Sequence, residues 1–425
     1  MPAEFDLELR GNGTRFLLYP QSPVIPRFAV PEVVWLSPTP RDIGPGPEDD
    51  RMYVVDPRDK PFLYGWPEMP PWRGPIFRPA FPGPLGHFDT LPRGTRGFLC
   101  AHLYGCVRRV LDIWEGYFQH PIPWHFARIY RRLEMIPLVE WDNAQSGYGF
   151  IEMGFDTDDQ GQPWPFALNF DVIAHEIGHS MLFSQLGVPV AALRTREFLA
   201  FHESAADVVA LIGALHFDAV VDDLLESTRG NLYAPNVVNR IGELALTQQI
   251  RSASHATTMA EVADVRLGAD GEWIDPTGRD RHAHQVGEPL TGAIFDILVD
   301  LFETALVAEG LISPAIDSLV RSLEEETHHY DDVQPLFDAA YVGREAQFRE
   351  LLIYARDYLG LLLADAWRMI RAEGLDFDDV AAALLLADRG RSGGAYAELI
   401  RVNFAWRGID PDASRQIRTD QMARS

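Results

Sequence analysis

The sequence predicts an α+β fold, with β-strands confined to the first part of the chain and helices filling the rest. Three observations carry that expectation. Short alternating or β-branched runs recur up to about residue 155, interrupted by one strongly helical stretch. After Pro289 apolar residues fall at three- and four-residue spacing almost to the end. A histidine-bearing helix lies near the change of pattern, and ligand sites favour such boundaries.

At 425 residues, 47% apolar and 11% aromatic, the chain is globular and long enough for a large core. Its net charge of −25 disfavours a nucleic-acid partner or an anionic membrane surface and favours solubility. Met1-Pro2-Ala3-Glu4 begins no secretory signal, and no apolar run approaches the roughly 18 residues of a membrane span, so a cytoplasmic location is expected. The two cysteines, Cys100 and Cys106, stand on different faces of a predicted helix, too far apart to bridge, and read as free thiols.

In chain order, Phe5, Leu7 and Leu9 alternate with charged neighbours before Gly11-Asn12-Gly13, which predicts a β-hairpin closing on Thr14–Tyr19. From Pro20 to Pro84 lie 17 of the 31 prolines. That density precludes long helices, and the interleaved aromatics Phe62, Tyr64, Trp66, Trp72, Phe77 and Phe81 predict an ordered wrap over a core. Strand-like runs stand at 32–36 and 52–55. Residues 97–118 predict a buried helix, and 127–139 and 148–155 predict strands. The Asp-rich stretch 156–165 reads as a solvated loop, because it lacks the spacing and closing Glu of an EF-hand.

A helix over about 169–185 then carries Asp171-Val-Ile-Ala-His175-Glu176-Ile-Gly-His179. Positions four apart share a helix face, so His175 and His179 can hold one zinc ion with Glu176 beside the first of them. A second helix, about 196–216, carries Glu203 and Asp207, again four apart. A carboxylate at Glu203 completes a two-histidine, one-glutamate ligand set, and Asp207 can accept the other ring N–H of a ligating histidine. Small residues at 204–206 would let the two helices approach closely. His202 is rotated about 100° from Glu203 and reads as a packing residue. After a turn-rich stretch at 230–285, His282 and His284 precede an apolar helix. A histidine there can donate to a developing oxyanion, and His284 is the better placed. Further helices are predicted at 290–309, 314–326, 333–341, 344–372, 377–388 and 394–405.

Over roughly 97–310 these motifs resemble the thermolysin-like zinc metallopeptidases, the gluzincins. His175-Glu-x-x-His179, then Glu203-x-x-x-Asp207 after 24 residues, is similar to that family's ligand set and supporting aspartate. Asp171 is placed like an Asp the family carries. Asp142-Asn143-Ala144 resembles the start of its substrate-holding edge strand. Arg251 lies in a segment similar to one whose Arg contacts a substrate carbonyl, and His284 is placed like its transition-state histidine. The resemblance implies a two-lobed zincin-like metallopeptidase, with a mixed N-terminal lobe, a mainly helical C-terminal lobe and the active-site helix between them. It implies one zinc on His175, His179 and Glu203, with Glu176 as general base and His284 as oxyanion donor. Asn143, Ala144 and Arg251 would bind a peptide or protein substrate. The expected organisation is a Pro-rich extension at 1–95, an α/β lobe at 96–185, a helical lobe at 186–310 and a further helical extension at 311–425. Two departures stand out. The family's tyrosine between the second histidine and the glutamate is absent from 180–202, and a residue expected to be acidic in a calcium pair is Ala214, which counts against calcium. The alternatives are a non-catalytic module that keeps the fold, and a zinc hydrolase of a non-peptide amide.

Overall fold

The computed structural model describes residues 9–157, 163–241, 251–268, 271–275, 282–323 and 330–416. Of the expected N-terminal hairpin, Phe5 and Leu7 lie outside the described residues. Residues 9–12 form a helical turn, and β1 (Thr14–Leu18) pairs antiparallel with β2 (Glu32–Leu36). Packing decides this over the local turn signal. Phe16 lies opposite Val34 and Thr14 opposite Leu36, and all four are buried on one face. That face rests on α1 (Arg96–Phe118), whose first turn is capped by Thr95 Oγ1 accepting from Phe98 N. α1 is buried nearly all round, and Cys100 and Cys106 on it are free.

Four short strands form the one larger sheet among the described residues: β3 (Met52–Val54), β4 (Leu133–Ile136), β5 (Ala144–Gly147) and β6 (Phe150–Met153). Their spatial order is β3-β4-β6-β5, parallel across the first three, with β5 antiparallel at the edge. The strand expected at 127–139 is cut to β4, because 127–132 make turns and bends. Both faces of the sheet are covered, and the alternation is strict. Leu133, Met135, Ile151 and Met153 enter the main core on the α1 side. Ile136 and Phe150 enter a second, smaller core with Tyr64 and Val139 on the outer side. The Pro-rich wrap lies there. Its residues 57–76 leave and rejoin at the Pro57–Ile76 bridge, and Leu63, Met69 and Trp72 pack onto the small core. β7 (Phe155–Thr157) and β8 (Pro163–Pro165) pair around the expected Asp-rich loop, whose centre, 158–162, lies outside the described residues.

α2 (Phe170–Leu186), capped by Asn169 Oδ1, and α3 (Arg196–Ala214), capped by Thr195 Oγ1, pack side by side. A helix absent from the expectation follows, α4 (Asp218–Thr228). It is short, and its N-cap residue Phe217 supplies no side-chain hydrogen bond, so the usual start signal is missing. Two small hairpins follow, β9 (Arg240–Ile241) with β10 (Arg251–Ser252) and β11 (Arg266–Leu267) with β12 (Trp273–Ile274). α5 (His282–Ala308) starts well before the expected residue 290 and carries Pro289 inside it. Then come α6 (Pro314–Leu323), α7 (Tyr330–Tyr341), α8 (Glu345–Trp367), α9 (Phe377–Ser392) and α10 (Ala397–Ala405). The fold is therefore α+β, with small sheets and a helical C-terminal part. One contiguous core runs from Phe16 to Ile409 through all of it. Among the described residues no helix is long and apolar enough to cross a membrane.

Candidate metal centre

The site is built where α2, α3 and the first turn of α5 meet. Close approach of α2 and α3 depends on Gly178. A methyl group there would lie 3.2 Å from Ala206 Cα and 3.3 Å from Ala206 Cβ, so the glycine that costs α2 some helical preference lets α3 come near. The small side chains at 204–206 act as the spacing suggested. Gly287 performs the same service for α5: a methyl there would meet Ala200 O at 2.8 Å. One turn further on, Thr291 donates to Ser204 Oγ at 2.9 Å. α5 is thus fixed against α3 just beyond His284.

Three donor atoms converge. His175 Nε2 lies 3.1 Å from His179 Nε2 and 3.3 Å from Glu203 Oε2, and His179 Nε2 lies 3.6 Å from the same oxygen. A hydrogen bond from His179 Nε2–H to His175 Nε2 would account for the shortest of these separations alone, but not for the approach of Glu203 Oε2 to both nitrogens. Donor separations of about 3.3 Å are, however, the edges of a tetrahedron with metal–ligand bonds of about 2.0–2.1 Å. The residues present fit a divalent ion. Among the described residues these three side chains form a group able to hold one.

The surroundings favour the ligating forms. Asp207 Oδ1 accepts from His175 Nδ1 at 2.8 Å, which leaves the Nε2 lone pair facing the site. Burial is the largest influence on His179 and takes it down to about 4 against the opposing Glu203 charge, so its ring is neutral near pH 7. Burial works against the Glu203 charge too. There His179, His175 and His284 prevail and hold the carboxyl well below the ordinary range. His284 Nδ1 lies 3.3 Å from Glu203 Oε2, so the first turn of α5 brings this imidazole to the rim of the site, not in a loop ahead of the helix. Glu176 is buried on α2 directly after the first histidine.

The remaining candidates are placed as follows. Asn143 is exposed at the start of β5, its Oδ1 accepting from Ala144 N at 2.8 Å, and α2 packs beside that strand. Arg251 lies in β10 opposite Ile241; its side chain lies outside the described residues. His282 stacks on Trp273, away from the converging donors. His202 packs on Phe183, with ring centroids 4.1 Å apart, behind His179.

Two supporting residues carry no motif. Gln21, in the Pro-rich wrap, donates to Asp171 Oδ1 at 2.8 Å and ties the wrap to the start of α2. His102 on α1 accepts from Tyr19 N at 2.9 Å, so its Nδ1–H donates to Ala167 O, just ahead of α2. Both contacts span long stretches of sequence, and only burial of a polar residue hints at them.

No family model and no curated protein matches the sequence. Among solved structures the chain is similar to the precursor of protealysin, a metalloproteinase from Serratia proteamaculans. The identity is 14% and the TM-score 0.45, over 84% of this chain and 86% of that one. The likeness is loose, and the centre is read from its own geometry.

Proposed function

We propose that the chain is a zinc-dependent peptidase with its reaction centred on His175, His179 and Glu203. The observation that carries this reading is the set of donor separations, 3.1, 3.3 and 3.6 Å, on two imidazoles and a carboxylate with a carboxylic side chain, Glu176, beside them. Two histidines and a glutamate leave one position of a tetrahedral zinc open, which is the pattern of hydrolytic sites. Zinc held there supplies Lewis acidity toward a carbonyl oxygen and toward water.

The chain's own residues do the rest. Glu176 accepts the proton of the attacking water and later delivers it to the leaving amine. His284 donates to the oxygen on which charge develops. Asp207 keeps His175 in the ligating tautomer. The free edge of β5, with Asn143 and Ala144, aligns a peptide through strand-like hydrogen bonds, and Arg251 would add a contact to a substrate carbonyl. The two buried free thiols suit a reducing compartment such as the cytoplasm.

Metal analysis of the purified chain is expected to find one zinc per chain, and markedly less in Glu203→Ala. A mixed peptide library is expected to be cleaved, with turnover blocked by a zinc chelator. Glu176→Gln is expected to keep the metal and lose about 10²–10⁴-fold in turnover. Full activity in that variant would overturn the mechanism, and metal content indifferent to Glu203 would overturn the ligand set.

A further inference from the structure

The outer face of the sheet holds a feature that the metal centre does not use. Residues 57–76 form a closed strap: Arg58 N donates to Pro75 O at 3.1 Å beside the Pro57–Ile76 bridge, so its ends meet. Buried contacts pin it down. Lys60 Nζ lies 2.6 Å from Glu152 Oε1, with the two side chains 2% and 0% exposed, and 3.7 Å from the centre of the Tyr64 ring. Tyr64 N donates to Glu152 Oε2 at 2.8 Å, while its hydroxyl donates to Glu134. Such contacts fix backbone position, because releasing any of them strands a buried charge.

The strap also reaches the edge strand. Gln145 Nε2, on β5, donates to Tyr64 O at 3.1 Å. Gly65 N then donates to Glu68 O at 2.8 Å, closing a tight turn that carries Trp66 with 91% of its surface exposed. A lone exposed apolar residue ordinarily needs no explanation. This one sits on an anchored turn two residues from a contact with β5, and among the described residues no strand pairs with the outer edge of β5. Gly154 N donates to Asn143 O at 2.9 Å, so Asn143 bonds inward, and antiparallel alternation turns Ala144 O and the backbone N–H and C=O of Ser146 outward, while Ala144 N is held by Asn143 Oδ1.

We propose that Trp66 is a recognition residue for an extended peptide that adds to the edge of β5, the indole receiving an aromatic or aliphatic side chain of that peptide. The occupant follows from continuity. A chain that pairs with the open backbone groups of β5 runs alongside the strap, and the indole offers it a large rigid apolar surface with little entropy to lose. Recognition of this kind depends on length, since only a peptide that runs along the edge of β5 as far as the turn meets the indole. What the peptide is bound for rests on the peptidase reading; the strap contact itself does not.

The test uses the full chain, an unstructured decapeptide rich in Phe and Leu, and a blocked tripeptide. Trp66→Ala is expected to raise KM for the decapeptide about tenfold with kcat unchanged, to leave the tripeptide untouched, and to be largely rescued by Trp66→Phe. An unchanged decapeptide KM, or equal effects on both peptides, would overturn the proposal. If the wild-type chain cleaves neither peptide, the peptidase reading has failed and the strap is judged by anisotropy of a labelled decapeptide. Binding about tenfold weaker in Trp66→Ala supports it; equal affinity, or no binding to the wild type, overturns it.

Discussion

The α2–α3 pair and the strap over the sheet are two ways of holding functional groups in place. The helix pair relies on regular spacing: ligands four apart, caps at both starts, and a glycine against an alanine where the helices cross. The strap has no regular structure of its own beyond isolated bridges, and few buried polar contacts hold it. The first arrangement spreads its stability over many small contacts, whereas the second concentrates it. Removing one side chain should therefore matter more in the strap than at the helix crossing.

The largest effect is expected at Lys60. Lys60→Ala leaves Glu152 charged and buried, and should cost about 3–5 kcal/mol in denaturant unfolding. Replacing both partners by apolar residues of similar size should recover most of it. A loss below about 1 kcal/mol would show that the strap is spread-loaded after all.

Next comes acid. Burial takes His102 down to about 4 from an ordinary 6.5, so the native state holds it neutral. Its contribution is complete above pH 6.5 and is lost as the pH falls from there toward 4, where the unfolded chain binds a proton that the native chain refuses. The shift corresponds to about 3 kcal/mol, visible as a steep acid limb in stability against pH that flattens in His102→Gln.

Asp207→Asn should weaken zinc about 10- to 100-fold, read by competition with a chelator, with little change in unfolding of the metal-free chain. Smallest is Gly178→Ala. Tight contact with Ala206 opposes the gain in helix preference, for a net loss of about 1 kcal/mol. A larger loss there would mean that the crossing, not the strap, is the brittle region.

The same contrast explains what the sequence made readable. His175, His179, Glu203 and Asp207 are found from spacing because a helix converts sequence interval directly into direction. The α+β division was legible for the same reason, through periodicity. The pairing of β1 was not, because its partner is chosen by a core shared with α1, and α4 was not, because it lacks a capping side chain. The start of α5 was misplaced by Pro289, which reads as a boundary but lies within the helix. Gln21 on Asp171 and Lys60 on Glu152 join residues that no local pattern relates.

Lys60 has one more consequence. It is the only lysine in the sequence, and the fold buries it. Arginine supplies every other side-chain cation apart from histidine, so the folded surface presents no lysine amine to acylating reagents or to enzymes that tag lysine. Acylation of this chain at a side-chain amine is thus a reporter for one event, the lifting of the strap from the sheet. Its rate, followed by mass, gives the opening equilibrium without any introduced label.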